Sequence, residues 1–568
     1  MQPLARDQLA QTKPRSRPAW RAWLGLLLVL APVVAYFHLV ATVSVEVPYI
    51  DDYDAVVDYL TRTLDEPASL GPRRFFSRHN EHFMTTLRAA VLLSYAALQR
   101  IDFRVLNLTG SAFLVVLLVV LFAAFRAGTR PAEKLLAFAP AALFLVQPQY
   151  WMVLLSATTS LSGFAVTAYA ALAFLALERR SPGALGAAVV CAGAATFALG
   201  SGALVLPLGA LQLALARRWR ALAVWCALAI PLLLAAFLLD PQERTALYSL
   251  DRPDRMLLYA LNFVGGTAGF SHRGLSLVAG GLLLASFGAL CLRRLHQRSP
   301  VVFALLLFVL GSIAANALLR THHGVGAPLL QPRYRFYGSL LLALTYLGWL
   351  ETLDRPRLAR RFATAALPVA LAFSLLSFAL YRGAAIDFSE RLERGFEYWW
   401  TTGDGGLSHP EFPKASIILL AALDAGHLRP PPGWAERLGS DPLPVTPPPA
   451  GRSVALGVDA VAQDDQVLLL SGWADVADGA RGQEVEVVLN SRTGQFVFPT
   501  YRVFRIELPQ PLARAGFRAV IRKRALPPGR YRVGALVRWR GSVYLTYLKR
   551  TIEVEPGRSR PRTTGERG

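Results

Sequence analysis

Charge is scarce in this chain: Asp, Glu, Lys and Arg make up only 17% of its 568 residues, against 54% hydrophobic. With a mean hydropathy of +0.37, that balance excludes one soluble domain of this length and fits a polytopic membrane protein. Cysteine is almost absent. Cys191, Cys226 and Cys291 are far apart and each lies in an apolar run, which excludes a disulfide framework and a thiolate metal site. Acidic residues are outnumbered, 38 against 60 Lys and Arg, for a net charge of +22. Nucleic acid is not the partner this implies, because many of the basic residues sit in short loops between apolar runs, where positive charge sets membrane orientation. No small-x-small cleavage site follows the first apolar run, so we read it as an uncleaved anchor behind Arg15, Arg17 and Arg21.

What the chain has in abundance is long apolar runs. They lie near 23–43, 105–125, 135–150, 161–177, 184–199, 203–216, 220–239, 275–292, 300–318, 337–350 and 362–381, about eleven candidate membrane helices. A cytoplasmic amino terminus (1–22, basic) places the Arg-rich loops 126–134, 178–182, 217–220, 293–298 and 355–361 inside as well. The loops 44–104, 151–160, 240–274 and 319–336 and the carboxyl terminus then lie outside. Gly200-Ser201-Gly202 suits a tight turn or re-entrant hairpin, since Gly accepts positive φ. Leu87–Leu98 is too short to span and reads as an interfacial helix, as does Met256–Phe270, which ends in a flexible Gly265-Gly266.

Beyond the membrane domain (23–381) the composition changes. Residues 382–452 read as an external linker, with helices around Asp387–Trp400 and Lys414–Leu423 and then Pro-rich spacers. Residues 453–555 alternate in short runs broken by Gly, Pro and Asp-Gly turns, the pattern of a β-sandwich with Trp473 in its core. The tail 556–568 is basic, polar and expected to be disordered.

Three clusters carry candidate chemistry. Asp51, Asp52 and Asp54 follow the first membrane exit, where a carboxylate can serve as general base toward an acceptor or simply start the next helix. Arg78-His79-Asn80-Glu81-His82 puts two histidines at i, i+3 beside an arginine. On a helix that suits a phosphate; a metal site would need further ligands, which the neighbourhood lacks, and a solvated surface is the remaining alternative. Arg320-Thr321-His322-His323 through Arg333-Tyr334-Arg335 is basic on the outer side, where positive-inside bias disfavours Arg. It suits an anion, either a lipid-linked phosphate or anionic head groups. Trp399-Trp400 and Trp434 read as surface anchors.

Taken together, the acidic cluster after the first span, the His-Asn-Glu-His segment, the Gly-Ser-Gly hairpin and the Pro-Arg-Tyr loop resemble the C-type superfamily of integral-membrane glycosyltransferases. The resemblance covers about residues 20–381. It implies a polyprenyl-phosphate sugar donor, a glycan, lipid or protein acceptor, and no cofactor, with a divalent metal left unsupported. It also implies Asp51 or Asp52 as catalytic base and Arg78, His79, Arg333 and Arg335 on the donor phosphate. Asp54, Asn80, Glu81, His82, His322 and Tyr334 would line the substrate site. The chain departs from the mannosyltransferases in carrying Asp51-Asp52 instead of an acidic-Glu pair, and no Trp-Trp-Asp acceptor motif is present. High Arg and Ala content points to a bacterial inner membrane with the β domain outside. The rivals are a transporter or flippase and a non-catalytic polysaccharide-assembly protein; spans with little charge and no internal repeat count against transport.

Overall fold

The structure, a computed structural model, describes residues 20–65, 72–80, 82–126, 131–238, 252–402, 405–429, 455–463, 467–476, 483–492, 494–503, 515–523, 526–539 and 542–554. Glu81, Trp434, the Pro-rich spacers and the tail therefore lie outside the described residues, as does the Trp400 side chain. The chain divides into two compact units. One comprises Met1–Thr42, Ala68–Ala90 and Leu106–Ala385; the other comprises Val43–Pro67, Val91–Val105 and Ile386–Gly568.

The first unit is helical. Each of the eleven apolar runs forms helix, but they are not equivalent. Among the described residues seven helices are long and apolar enough to cross a membrane, beginning with Trp20–Val43, whose 24 residues extend roughly 36 Å at 1.5 Å per residue. The run at 135–150 is broken: Glu133–Leu145 and Pro148–Leu155 meet at 61°. Pro148 has no amide hydrogen to continue the ladder, and Gln147 is fully extended at φ −161°. Pro182–Ala198 is only 17 residues, because Leu199 is extended and the Gly200–Leu204 turn interrupts the run.

Glycine acts here through space, not flexibility. A Cβ on Gly202 would lie 1.8 Å from the Ala195 carbonyl oxygen, so the reversal at 200–202 needs a residue without a side chain, although neither Gly200 nor Gly202 has positive φ. Gly265 and Gly280 are likewise closed in, their added Cβ atoms falling 1.9 Å from Ser276 O and 2.3 Å from Leu261 O. Helices Pro253–Gly265 and Arg273–Leu292 thus touch backbone to backbone, the way small residues let helices pack where no hydrophobic effect drives them together. The flexible end expected at Gly265-Gly266 is a packing contact instead.

One helix, Pro356–Thr402, runs for 47 residues. The sequence suggests a stop at Tyr381 and a new helix from Asp387, yet between them only Gly383 disfavours helix, at a cost of about 1 kcal/mol. In the second unit the Phe412–Asp424 helix precedes eight strands: β1 (Ala455–Gln463), β2 (Val467–Asp475), β3 (Glu484–Ser491), β4 (Gly494–Pro499), β5 (Tyr501–Val503), β6 (Gly516–Arg522), β7 (Gly529–Trp539) and β8 (Ser542–Val554). They form two antiparallel sheets, β1-β2-β6-β5 and β4-β3-β7-β8. Period-two alternation sends Leu468, Leu470, Phe517, Ala519 and Ile521 of one sheet and Val487, Val533 and Val537 of the other into a shared core. Trp473 falls on the opposite parity to Leu470 and Ala474. Its ring packs over Gly457, whose added Cβ would lie 2.4 Å from the indole nitrogen, and it is not part of the core.

Candidate functional site

The acidic turn belongs to the second unit. Tyr49 and Asp52 close it reciprocally: the Asp52 amide donates to Tyr49 O (3.0 Å), and the Tyr49 amide donates to Asp52 Oδ2 (3.3 Å). Asp52 is fully buried. Between them Ile50 sits at φ 46°, with its amide donating to Ser408 O at 2.9 Å. A β-branched residue in the left-handed region is strained by about 1–3 kcal/mol, and such strain persists only where surrounding contacts hold it. Tyr53–Asp58 then forms a single π-helical turn, a feature that concentrates at functional sites.

Asp54 is occupied. Its Oδ2 meets His409 Nε2 at 3.1 Å and its Oδ1 meets Lys414 Nζ at 2.8 Å. His409 Nδ1 takes a hydrogen bond from the Glu411 amide at 3.0 Å, which leaves the Nε2 hydrogen for Asp54. The hydrogen bond that Lys414 donates to Asp54 is the main reason the Lys414 ammonium is held above its ordinary pKa. Burial pushes the Tyr53 hydroxyl up as well. Asp51 keeps partial solvent access. Beside this group a cleft of about 830 Å³ opens between Asp58, Arg62, Glu411, Lys414, Phe412 and Ile418.

A further carboxyl group of the second unit, Glu46, carries no mark in the sequence. Glu46 Oε2 accepts from the Phe103 amide (3.0 Å), and Asp102 Oδ1 caps the same helix start at the Val105 amide (3.0 Å). Arg100 pairs with Asp102 at 3.0 Å and Arg104 approaches Glu46 at 3.9 Å. Burial, and then the adjacent Asp102 charge, push the Glu46 carboxyl up from 4.5 to about 7.

The basic residues belong to the first unit. The helical spacing expected of His79 and His82 is not present. The two exchange backbone hydrogen bonds (2.7 and 3.0 Å) across a tight turn in which exposed Asn80 has φ 51°. They remain neighbours as a cross-strand pair instead. His82 Nδ1 accepts from the Gly200 amide at 3.3 Å, which joins the His-Asn-Glu-His segment to the Gly-Ser-Gly turn. Arg78 donates to Ala236 O (2.9 Å), and its guanidinium lies 4.4 Å from the Phe83 ring centroid. Arg88, which drew no attention in the sequence, is buried and donates to the carbonyls of Arg74, Phe75 and Ser77 at 3.0, 2.7 and 2.5 Å.

Arg335 is 8% exposed and donates to the carbonyls of Gln149 (3.3 Å) and Leu329 (3.1 Å), with the Tyr381 ring 4.8 Å away. Arg333 stacks at 5.4 Å on Tyr334, which in turn lies 4.8 Å from Phe263. Nearby, Tyr259 donates to Asn316 Oδ1 at 2.7 Å; burial raises its pKa against the opposing pull of Arg320 and Arg333. His322 is exposed and packs 4.0 Å from the His323 ring. Among the described residues no carboxylate pairs with Arg333 or Arg335. The arginines of the Arg-rich loops contrast with them: Arg126 pairs with Glu178 at 2.8 Å and Arg298 with Asp354 at 2.6 Å. A guanidinium withdrawn from water without a counter-charge is costly, so such a pair is suited to an anion.

The fold thus gives the coarse class, a mostly helical chain with apolar helices compatible with multiple membrane passes and a β-rich carboxyl-terminal region. Compared with protein-family models, curated proteins and solved structures, the chain finds no match.

Proposed function

We propose that the chain is an inner-membrane glycosyltransferase of C-type architecture. In this reading about eleven helices cross the bilayer, the amino terminus is cytoplasmic and the β domain is extracytoplasmic. It moves a sugar from a polyprenyl-phosphate donor to a glycan, lipid or protein acceptor. The observation that carries this reading is the Arg333 and Arg335 pair, which lacks any carboxylate among the described residues. Arg333, with Arg78 and His79, holds the donor phosphate, and Arg335 contributes charge from its buried position.

In the reaction the acceptor oxygen attacks the anomeric carbon, the bond from that carbon to the phosphate oxygen breaks, and the polyprenyl phosphate leaves with the electron pair. Asp51 takes the acceptor proton. Asp52, used by the turn, positions Asp51, and Asp54 fixes the segment through His409 and Lys414. Positive charge already in place where the phosphate becomes a leaving group lowers the barrier without reorganisation.

The test uses protein in lipid with a panel of radiolabelled polyprenyl-phosphate sugars. Label should leave the lipid, and Asp51→Asn or Arg333→Gln should each slow turnover about 100-fold or more. Full activity in both variants overturns the assignment. One observation favours a transporter instead, the 61° break at Val146-Gln147, because broken helices form binding sites in transporters. Movement of labelled lipid across vesicles without loss of sugar would decide for that reading.

A further inference from the structure

The cleft beside Asp54 has two walls of opposite character, both within the second unit. One is polar: Asp58, Thr61, Arg62 and Asp65 fall at i, i+3, i+4 and i+7, on one face of the turns that end in the Tyr59–Asp65 helix. The other is apolar, built by Phe412, Ile417, Ile418 and Ala421 of the Phe412–Asp424 helix. Ile417 is 68% exposed. The space between the walls, about 830 Å³, falls within the range of ligand sites, roughly 300–1,000 Å³.

Thr61 stands in the polar wall with an unsatisfied hydroxyl. It is 4% exposed and has no hydrogen-bond partner among the described residues, not even the carbonyl one turn earlier that a helical threonine commonly takes. A buried hydroxyl left unpaired costs stability, so its presence on a cleft calls for a ligand that completes it. The charges narrow the choice. Arg62 is taken by Asp58 at 2.8 Å and Lys414 by Asp54 at 2.8 Å. What remains is two exposed carboxylates: Asp65, 3.8 Å from a His427 nitrogen, and Glu411, which makes no ion pair among the described residues. A chain with a net charge of +22 thus keeps an acidic mouth on this cleft.

We propose that the cleft binds a glycan bearing free amine groups and that, on the reading that the chain transfers a sugar, this glycan is the acceptor. A pyranose ring has an apolar C–H face and a rim of hydroxyls, which suit one wall each. Its ammonium groups meet Glu411 and Asp65 in charge-assisted hydrogen bonds, and the Thr61 hydroxyl gains a partner. An extended peptide fits worse, because its N–H and C=O groups alternate to both edges and those facing the apolar wall would be left unpaired. Anionic glycans and anionic lipid head groups are repelled by the uncommitted carboxylates.

The test is calorimetry on the full-length protein in nanodiscs of neutral lipid, with chitosan hexamer in mildly acidic buffer that keeps its amines protonated. No donor is present, so a failure to bind is read separately from a failure to transfer. Chitosan hexamer should bind, and the fully acetylated hexamer should bind about tenfold more weakly. The positive net charge of the chain disfavours non-specific uptake of a polycation. Glu411→Gln combined with Asp65→Asn, both at exposed positions, should weaken binding about tenfold. Thr61→Val should weaken it about fivefold while raising the thermal midpoint, an opposition that a purely structural threonine does not produce. The proposal is overturned by no binding of chitosan hexamer, by equal binding of the acetylated hexamer, by displacement with hexalysine at equal concentration, or by wild-type affinity in both variants.

Discussion

Glu46→Gln should stabilise the protein above neutral pH, against the usual outcome for removing a buried charge. Glu46 is held at about 7 instead of 4.5 by burial and by the adjacent Asp102 charge. Its contribution to stability is therefore complete below pH 4.5 and is lost as pH rises through 7. The full shift corresponds to roughly 3 kcal/mol. The Glu46 side chain is 22% exposed, and water at that edge screens the pair, so an effect of about 1–3 kcal/mol is expected. Gln keeps the acceptor for the Phe103 amide and cannot ionise. Thermal unfolding of the protein in neutral-lipid nanodiscs, scanned from pH 5 to 8.5, should show the wild-type midpoint falling across this range and the variant falling less. The two should coincide near pH 5. Hydrogen exchange at the amides of Phe103 and Val105 gives a local readout of the same equilibrium. A wild-type curve no steeper than that of Glu46→Gln, or a variant less stable at pH 8, would refute the reasoning.

Three further outcomes follow from packing and hydrogen bonding. Asp54→Asn breaks the contacts to His409 and Lys414 and should cost about 1–2 kcal/mol; thermal unfolding should show Lys414→Ala costing less, since half-exposed Lys414 is the weaker partner. Gly202→Ala drives a Cβ into the Ala195 carbonyl and should cost about 3 kcal/mol or more. Gly186→Ala, with open space around it, should be neutral or up to about 1 kcal/mol stabilising, and the yield of monodisperse protein after detergent extraction ranks the two. Arg88→Met leaves the carbonyls of Arg74, Phe75 and Ser77 without their shared donor and should cost about 2–4 kcal/mol, visible as faster proteolysis near residue 75.

Helix was legible wherever apolar residues ran without interruption, because within a bilayer the backbone can satisfy its polar groups only internally, and hydropathy reports that directly. What hydropathy could not report is length in place. Pro148 divides a run that looks continuous in composition, and that break becomes visible only through a missing amide hydrogen; the reversal at 200–202 is marked in the sequence by its glycines, but its cause is the 1.8 Å approach to the Ala195 carbonyl and not positive φ. The strands were legible through their alternation, but Trp473 was misplaced because a residue's type suggests burial while its parity decides it, and parity is fixed by neighbours such as Leu470 and Ala474.

The candidate site divides along the same line. Clustering in sequence picked out Asp51, Asp52 and Asp54, yet the three carboxylates have three different surroundings: Asp52 closes a turn, Asp54 holds His409 and Lys414, and Asp51 keeps access to solvent. His409 and Lys414 lie more than 350 residues from Asp54 in the chain, and nothing in Ser408-His409-Pro410 marks it as a partner. Glu46 carries no mark in the sequence for the same reason, since its unusual carboxyl depends on Asp102, a residue beyond the Thr85–Leu98 helix. Composition can therefore nominate a charge, but whether that charge is a base, a brace or a proton store depends on contacts made across the fold. Arg333 and Arg335 are the converse case, in which the informative observation is that no carboxylate among the described residues answers them.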